Sequence, residues 1–367
     1  MASTKRDIRS HHSIRGIAAL LVFVLHLQEV LAWGSIELYP TTSFIAKGYL
    51  WVDCFFILSG FILSYVYADS FNVPHWRALA RASIGFLRAR FARVYPLHLL
   101  ALLLILVLRA IALQTRPGSG SLFWANNTPE SLLLNLLLLQ SWELQNNLSW
   151  NNPSWSISTE AFAYLLFPVL CVTSFRMPKT FLVILTLTPI LGYSVLLNTN
   201  RTLDYTFHLG LLRCISGFIL GMSLFRIWTV LSPSARRRLL FLQPVVFVAI
   251  PLAMHVGARD GIIVPLLAAG ILLTADDRGP VARVLQQGPL VWLGMCSYSI
   301  YMIHYPIMYF ATELKWYLFN YWVAHSVTSP ATLSVVLFIA LGFTVLALSA
   351  LTYRFVEIPM RARLCGR

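Results

Sequence analysis

Charged side chains are scarce in this chain of 367 residues, and acidic ones are the scarcest. Asp, Glu, Lys and Arg make up 11% of the sequence, whereas soluble domains carry about a quarter. Hydrophobic residues account for 58%. This composition excludes an ordinary soluble fold. The sequence predicts an all-α polytopic membrane protein, a bundle of about ten transmembrane helices of roughly 20 residues each.

Cysteine is also rare, and its placement excludes two further classes. The five cysteines are an odd number, and Cys54, Cys171, Cys214 and Cys296 fall within apolar runs. Packing thiols fit this pattern better than a disulfide or metal framework, so no metal is expected.

The net charge of +14 comes from 28 Lys and Arg against 14 Asp and Glu. The basic residues sit at the ends of apolar runs, which indicates membrane orientation rather than nucleic-acid binding. Most of them fall on one side of the predicted bundle, so both termini are expected in the cytoplasm. The long apolar segment after the basic N-terminus is interpreted as a retained helix, not a cleaved signal peptide.

The apolar runs predict one membrane domain over residues 1–367. It comprises a short basic N-terminal segment 1–13, an outer-side loop 114–152 and a cytoplasmic C-terminal segment 356–367. The predicted helices lie near 14–34, 48–68, 93–113, 153–174, 180–197, 206–228, 240–257, 261–275, 290–312 and 331–355.

Arg15 and His26 lie eleven residues apart in an apolar run from Ser13 to Leu31. In an α-helix this spacing corresponds to about three turns and a rise of roughly 16 Å, so both side chains share one face at different depths. Glu29 joins that face three residues further on. A flanking arginine and a packed interior histidine are the alternative, which the spacing leaves open.

Ionisable side chains from five predicted helices fall at one depth: His26, Asp53, Glu160, Arg213 and His304. Counted at 1.5 Å per residue, they lie about 18–22 Å from the cytoplasmic face. Charges inside the bilayer are costly, so such residues are functional candidates. We expect them to meet in one buried polar chamber. The alternatives are a packing ion pair for Asp53 and Arg213, and a packing role for His304.

Glu160 ends the segment Trp155-Ser156-Ile157-Ser158-Thr159-Glu160. A buried carboxylate in this setting suits a proton carrier or a partner that orients a histidine.

Arg90 and Arg93 lie three residues apart where the third predicted helix begins. Guanidinium groups at this spacing face one way and can grip phosphate oxygens in fork geometry. A cluster that only sets membrane orientation is the alternative.

The loop 114–152 is rich in Asn and Trp, with a run from Leu132 to Leu139 too short to span a bilayer. We expect this run to lie in the outer interface or to fold back over the bundle. Trp124, Trp142 and Trp150 offer faces on which sugar rings stack, although an aromatic belt explains them equally well.

These motifs, taken in order, resemble the integral-membrane acyltransferase family 3. That family moves acyl groups, mostly acetyl from acetyl-CoA, onto hydroxyls of sugars and related acceptors. The resemblance extends from Arg15 to Arg361 and includes two departures, Trp51 in place of a usual glycine and His98 in place of an aromatic residue. Its motifs are Arg15-x10-His26, Val52-Asp53-x-Phe55-Phe56-x-Leu58-Ser59-Gly60-Phe61, Arg90-x-x-Arg93-x-Tyr95-Pro96, Trp155 to Glu160 with Tyr164 and Pro168, Arg213-x-x-x-Gly217-Phe218-x-x-Gly221, Ser297-Tyr298 with Tyr301, His304 and Pro306, and Glu357-x-Pro359-x-Arg361.

The resemblance implies an acyl-CoA-dependent O-acyltransferase in which His26 is catalytic and Glu160 orients or recharges it. Whether His26 acts as a base or carries the acyl group stays open. The residues expected to bind acyl-CoA or acceptor are Arg15, Arg90, Arg93, Asp53, Trp155, Ser156, Arg213, Tyr301 and His304.

The expected partners are acetyl-CoA as co-substrate, a sugar-containing acceptor and the lipid bilayer of a bacterial inner membrane. Nucleic acid is not expected, and a homo-oligomer stays open. The candidate acceptors, among which the sequence does not choose, are a polysaccharide unit on a lipid carrier, an O-antigen, a secreted oligosaccharide and a macrolide-type glycoside. Family members with a fused hydrolase-like domain can pass the acyl group onward. The sequence of 367 residues shows no such domain, so direct modification of the acceptor is expected.

Two other functions compete with this interpretation. A proton-coupled transporter or lipid flippase also fits many helices with charges at mid-membrane, although paired broken helices in two halves are missing. A membrane acyltransferase of another class, acting on proteins or lipids, is the third hypothesis, and the early position of His26 argues against it.

Overall fold

The computed structural model describes residues 7–33, 35, 42–115, 126–176, 179–318, 325 and 329–366. Helix accounts for 83% of the structure, and the described residues contain no strand. The α-helices are α1 (Arg9–Ala32), α2 (Leu50–Phe71), α3 (Trp76–Thr115), α4 (Pro129–Leu136), α5 (Trp155–Arg176), α6 (Lys179–Asn200), α7 (Gly210–Val230), α8 (Pro233–Leu239), α9 (Gln243–His255), α10 (Asp260–Thr274), α11 (Pro280–Leu285), α12 (Gly288–Met295), α13 (Ser297–Leu318), α14 (Pro330–Thr352) and α15 (Ile358–Cys365).

The structure confirms an all-α polytopic membrane protein, and each predicted helix has a counterpart. Within the described residues, seven helical stretches are long and apolar enough to cross a bilayer, and α10 is a shorter apolar helix. The cysteines expected to pack, Cys54, Cys171, Cys214 and Cys296, are buried and free.

Several helix boundaries differ from the prediction. α3 begins at Trp76 rather than near residue 93, because a polar and basic segment continues the apolar helix through Pro96. At 40 residues it is about 60 Å long, twice the roughly 30 Å of a bilayer core. The helix predicted from 290 is instead two helices, which meet at Cys296, the C-cap of α12. After α14, a π-helical turn from Tyr353 to Glu357 precedes α15.

Glycines permit a very close contact between α2 and α7. A Cβ atom on Gly60 would lie 1.9 Å from the Phe218 carbonyl oxygen, and one on Gly221 would lie 2.0 Å from the Ile57 carbonyl oxygen. Small residues allow helix backbones in membranes to approach this closely. The Gly217-x-x-x-Gly221 motif therefore fixes α7 against the helix that carries Asp53.

The segment after α3 folds back onto the bundle, one of the two placements expected for it. His98 on α3 donates its Nε2 proton to the Asn135 carbonyl (2.9 Å), and Trp142 donates its indole proton to the Ser158 carbonyl (3.0 Å). Trp150 is 4% exposed and bonds Ser131. The expectation of an open stacking platform is wrong for Trp150, because its ring is buried; Trp124 lies outside the described residues.

Candidate active site

A cavity of about 160 Å³, with both charged and apolar side chains in its walls, lies where α1, α2, α3, α5 and α13 meet. We call this the basic cavity, and the end of the bundle that contains it the basic end. The sequence motifs of these five helices converge here, because each helix contributes side chains to the cavity wall. The lining residues are Asp7, Ile8, His11, His12, Arg15, Phe55, Phe56, Leu58, Ser59, Ile62, Leu63, Arg90, Arg93, Val94, Ser156, Ile157, Glu160, Tyr164, Ser297, Tyr298 and Tyr301.

Arg15 is held in the cavity wall by neutral groups. Its Nε donates to Ser297 Oγ (3.0 Å) and its Nη2 to the Gly294 carbonyl (3.2 Å). The same Nη2 contacts His12 Nδ1 at 3.2 Å, and His12 Nε2 bonds the Asp7 carboxylate at 2.7 Å. Because a guanidinium group can only donate, His12 Nδ1 accepts and Nε2 carries the proton. Arg15 forms no ion pair with a described residue, so its charge is available to an anion.

Arg90 and Arg93 face the same cavity but differ in their partners. Arg90 donates to the Tyr67 hydroxyl (3.2 Å) and lies over the Tyr67 ring, 5.5 Å from its centroid. Its buried Nε has no partner in the described part of the chain. Arg93 pairs with Glu357 (3.0 Å), whose other oxygen accepts from Ser299 (2.6 Å). The π-helical turn positions Glu357 for this pair, and Arg90 stays without a carboxylate partner among the described residues.

Glu160 lies on the opposite wall and accepts a hydrogen bond from Ser59 of α2. Its expected role in orienting His26 is not supported, because the described residues show no hydrogen bond between the two side chains. Glu160 instead joins the basic cavity as an acidic group facing three arginines. In the sequence, Ser59 was noted only as part of the motif from Val52 to Phe61. Its hydroxyl is the polar group that this motif contributes to the basic cavity.

Tyr301 closes the inner end of the basic cavity. Its hydroxyl lies 2.8 Å from Ser156 Oγ and 3.0 Å from the Pro153 carbonyl oxygen, so it is tied to the start of α5. Its ring is 5% exposed and contacts Phe55 edge-on, with centroids 5.6 Å apart. The far side of Tyr301 faces His304, at a centroid distance of 6.0 Å.

His26 and His304 form a pair beyond Tyr301, with ring centroids 5.1 Å apart. His26 Nδ1 lies 2.9 Å from the Val22 carbonyl oxygen, and His304 Nδ1 lies 3.1 Å from the Ile300 carbonyl oxygen. A carbonyl oxygen can only accept, so in both rings Nδ1 carries the proton and a neutral ring leaves Nε2 as the basic nitrogen. His304 Nε2 is buried without a partner among the described residues.

Asp53 and Arg213 lie in neither group of residues. Their side chains are 0% exposed and form an ion pair of 2.7 Å between α2 and α7. Tyr193 donates to Asp53 (3.1 Å), and Arg213 also donates to the carbonyls of Tyr49 and Tyr205. Arg213 lies 5.4 Å from the Trp155 ring centroid.

The expectation of one chamber is therefore wrong. Asp53, Trp155 and Arg213 pack in the helical core, His26 and His304 lie beyond Tyr301, and only Glu160 of the five ionisable groups lines the basic cavity. Arg15, Arg90, Arg93, Ser156 and Tyr301 come together there as expected. His12 was missed, although its position three residues before Arg15 placed it on the same helix face.

The fold and this site define an integral membrane protein with a cation-rich cavity on one side of a buried tyrosine and a histidine pair on the other. The chain belongs to acyltransferase family 3, because the family model described as an acyltransferase domain matches residues 11–354.

Three curated relatives show the range of similarity. The chain is 35% identical to "Acyltransferase MdmB" of Streptomyces mycarofaciens over 165 residues, which is 42% of this chain and 37% of that protein. It is 22% identical to "Peptidoglycan O-acetyltransferase OatA" of Listeria monocytogenes over 98% of this chain and 56% of that protein. It is 22% identical to "O-acetyltransferase OatA" of Staphylococcus aureus over 90% of this chain and 55% of that protein. The chain thus spans about half or less of these relatives, and no solved structure matches it significantly.

Proposed function

We propose that the protein is a membrane O-acetyltransferase that moves an acetyl group from acetyl-CoA to a hydroxyl of a sugar-containing acceptor. Membership of acyltransferase family 3 supports acyl transfer, and the names of the OatA relatives support acetyl as the group and a glycan as the acceptor class. The observation that carries the donor assignment is the basic cavity, where Arg15 and Arg90 have no carboxylate partner in the described part of the chain.

The donor binds at the basic end. The phosphates of coenzyme A are anions with oxygen atoms that match the planar fork of a guanidinium group. Arg90 and Arg93 supply two such groups from one face of α3, and Arg15 supplies a third from α1. The thioester end of the donor then points inward, toward Tyr301.

The acceptor reacts on the other side of Tyr301, at His26. The acceptor oxygen forms a bond to the acetyl carbonyl carbon, and its proton moves to Nε2 of His26. The carbon–sulfur bond breaks, and the coenzyme A thiolate leaves and takes up that proton. General-base help of this kind is worth about 10²–10⁴-fold in rate. A route in which His26 first carries the acetyl group remains an alternative, with ping-pong kinetics as its signature.

Tyr301 separates the two half-sites, so transfer requires its ring to move. Two hydrogen bonds hold that ring, to Ser156 and to the Pro153 carbonyl. When the donor occupies the basic cavity, displacement of Tyr301 opens the path to His304 and His26.

A turnover assay tests the proposal. Purified protein in vesicles receives acetyl-CoA and a panel of acceptors: peptidoglycan fragments, lipid-linked polysaccharide units and small glycosides. Thiol release measures donor consumption, and labelled acetyl measures transfer. His26→Ala is expected to lower transfer by about 10²–10⁴-fold while donor binding persists. His75→Ala, an exposed histidine outside the cavity, is the matched control. Intact acetyl-CoA with every acceptor, or full turnover by His26→Ala, contradicts the proposal.

A further inference from the structure

A second cavity, of about 240 Å³, lies on a different side of α1 and α2 from the basic cavity. Its walls are apolar side chains of α1, α2, α9, α10 and α11. Ile14, Ile17 and Leu21 of α1 form one wall, on a different helix face from Arg15 and His26. Between Ile14 and Leu21 this wall rises about 10 Å along the helix. We call this space the apolar cavity.

The apolar cavity reaches the surface that faces the bilayer. Pro251 lines it from α9 and is exposed. The neighbouring outward residues of α9, Val248 and Leu252, are 64% and 57% exposed, which is the pattern of a lipid-facing helix. The medium at this opening is therefore hydrocarbon, and hydrocarbon chains are the molecules with access to it.

Trp51 lines the apolar cavity and carries an unsatisfied polar group. The side chain is 7% exposed, and its indole N–H has no hydrogen-bond partner among the described residues. A buried donor without an acceptor is costly, and buried tryptophans normally find one. Lys47, one helical turn before Trp51, pairs with Asp260 at 2.6 Å. This polar layer puts Trp51 near one end of the bundle, at the depth where lipid ester groups meet hydrocarbon.

We propose that the apolar cavity binds one acyl chain of a bilayer glycerolipid, with a lipid ester carbonyl accepting the hydrogen bond from Trp51 Nε1. An apolar cavity of roughly 150 Å³ is already large enough to bind benzene, so this larger one holds a length of alkyl chain. The bound acyl chain packs against α1 on the side away from the basic cavity. The lipid is thus a bound component of the protein. This inference does not depend on the proposed acetyl transfer.

Fluorescence quenching by brominated lipid tests the proposal. The protein is reconstituted into phosphatidylglycerol vesicles whose oleoyl chains are either intact or brominated at the double bond. The difference in emission between the unchanged protein and Trp51→Phe isolates Trp51 from the other tryptophans. Because the Trp51 ring is buried, bromine comes into contact with it through a chain inside the cavity, and the cavity-filling variant below separates such a chain from lipid outside the protein. We expect most of the Trp51 emission to be lost in brominated vesicles.

A cavity-filling variant provides the second arm. Gly270 lines the cavity, and the nearest neighbours of a Cβ atom there are Phe247 and Ile250, at ordinary contact distances of 3.5–3.6 Å. Gly270→Leu is expected to fill the space and restore Trp51 emission in brominated vesicles. Gly342→Leu on α14, where a Cβ atom has no neighbour within 4 Å, is the matched control and should quench like the unchanged protein.

Two results overturn the proposal. Equal Trp51 emission in brominated and intact vesicles means that no lipid chain enters the cavity. Quenching by a brominated long-chain acyl-CoA but not by brominated phosphatidylglycerol assigns the cavity to the donor instead. Both readings use the unchanged protein and Trp51→Phe, so they stand even if Gly270→Leu fails to fold.

Discussion

Removal of Asp53 separates a packing role from a binding role for the Asp53–Arg213 pair. Both side chains are 0% exposed and lie between α2 and α7. In Asp53→Ala the Arg213 guanidinium keeps its bonds to the carbonyls of Tyr49 and Tyr205 but loses its counter-charge. The charge has no route to water, because Trp155 and the surrounding helices cover it.

The expected loss follows from that burial. Breaking a buried ion pair by removing one partner costs about 3–5 kcal/mol, on the order of a hundredfold or more in the ratio of folded to unfolded protein. The double variant Asp53→Leu with Arg213→Met removes both charges and is expected to be more stable than Asp53→Ala. Its remaining cost is about 1–3 kcal/mol, because the carbonyls of Tyr49 and Tyr205 lose a donor and the Tyr193 hydroxyl loses its acceptor. Asp276→Ala breaks a partly exposed pair with Arg236 and should cost at most about 1 kcal/mol.

Denaturant titration in detergent micelles measures these free energies of unfolding, and acetyl-CoA binding is measured on the folded fraction. We expect Asp53→Ala to lose stability while the donor dissociation constant of its folded fraction stays unchanged. If Asp53→Ala unfolds at the same denaturant concentration as the unchanged protein but no longer binds the donor, the pair belongs to the binding site and our placement of it in the core is refuted.

Three further changes probe other parts of the structure. Arg90→Ala combined with Arg93→Ala should raise the Michaelis constant for acetyl-CoA roughly 10- to 100-fold, because charge-assisted hydrogen bonds are lost. Arg77→Ala, at an exposed arginine, is the control and should leave the constant unchanged. If the double variant has the same constant as the unchanged protein, the two arginines serve only to orient the chain in the membrane. Gly221→Ala places a Cβ atom 2.0 Å from the Ile57 carbonyl oxygen and should destabilise the protein by about 1–3 kcal/mol in the same titration, against no loss for Gly342→Ala. Tyr301→Phe frees the ring from Ser156 and Pro153, so thiol release from acetyl-CoA without acceptor should increase; unchanged release argues against a gate at this residue.

The helices were predictable because hydropathy and bilayer thickness constrain them. The start of α3 was not, since the segment after Trp76 is basic and its packing partners are distant in sequence. Arg88 Nε donates to the Leu364 carbonyl of α15 at 2.6 Å, and Phe86 packs against Phe71 of α2 and Phe167 of α5. The break at Cys296 was equally hidden, because Ser297 and Ser299 are isolated polar residues in an otherwise largely apolar run. Both features depend on tertiary contacts rather than on the local pattern.

The spacing of Arg15 and His26 predicted one shared helix face, and the structure places both against α13. Arg15 bonds Ser297, and His26 lies beside His304. The rise of roughly 16 Å between them was part of the same calculation. This rise along α1 separates the cations near Arg15 from the histidine pair at His26. The two half-sites were therefore predictable from the spacing, and the expectation of a single chamber did not take the rise into account.

The depth of a residue along a helix does not determine the direction in which its side chain points. Asp53 and Glu160 therefore lie at a similar depth but belong to different sites. Asp53 and Ser59 are six residues apart on α2, so their side chains point about 120° apart. Ser59 faces Glu160 in the basic cavity, while Asp53 faces Arg213 on α7. The glycines of α7 determine which face of α2 meets that helix, because only they permit the close approach. The sequence placed five ionisable groups at one depth, but the packing of α2 against α7 decided which of them can reach a substrate.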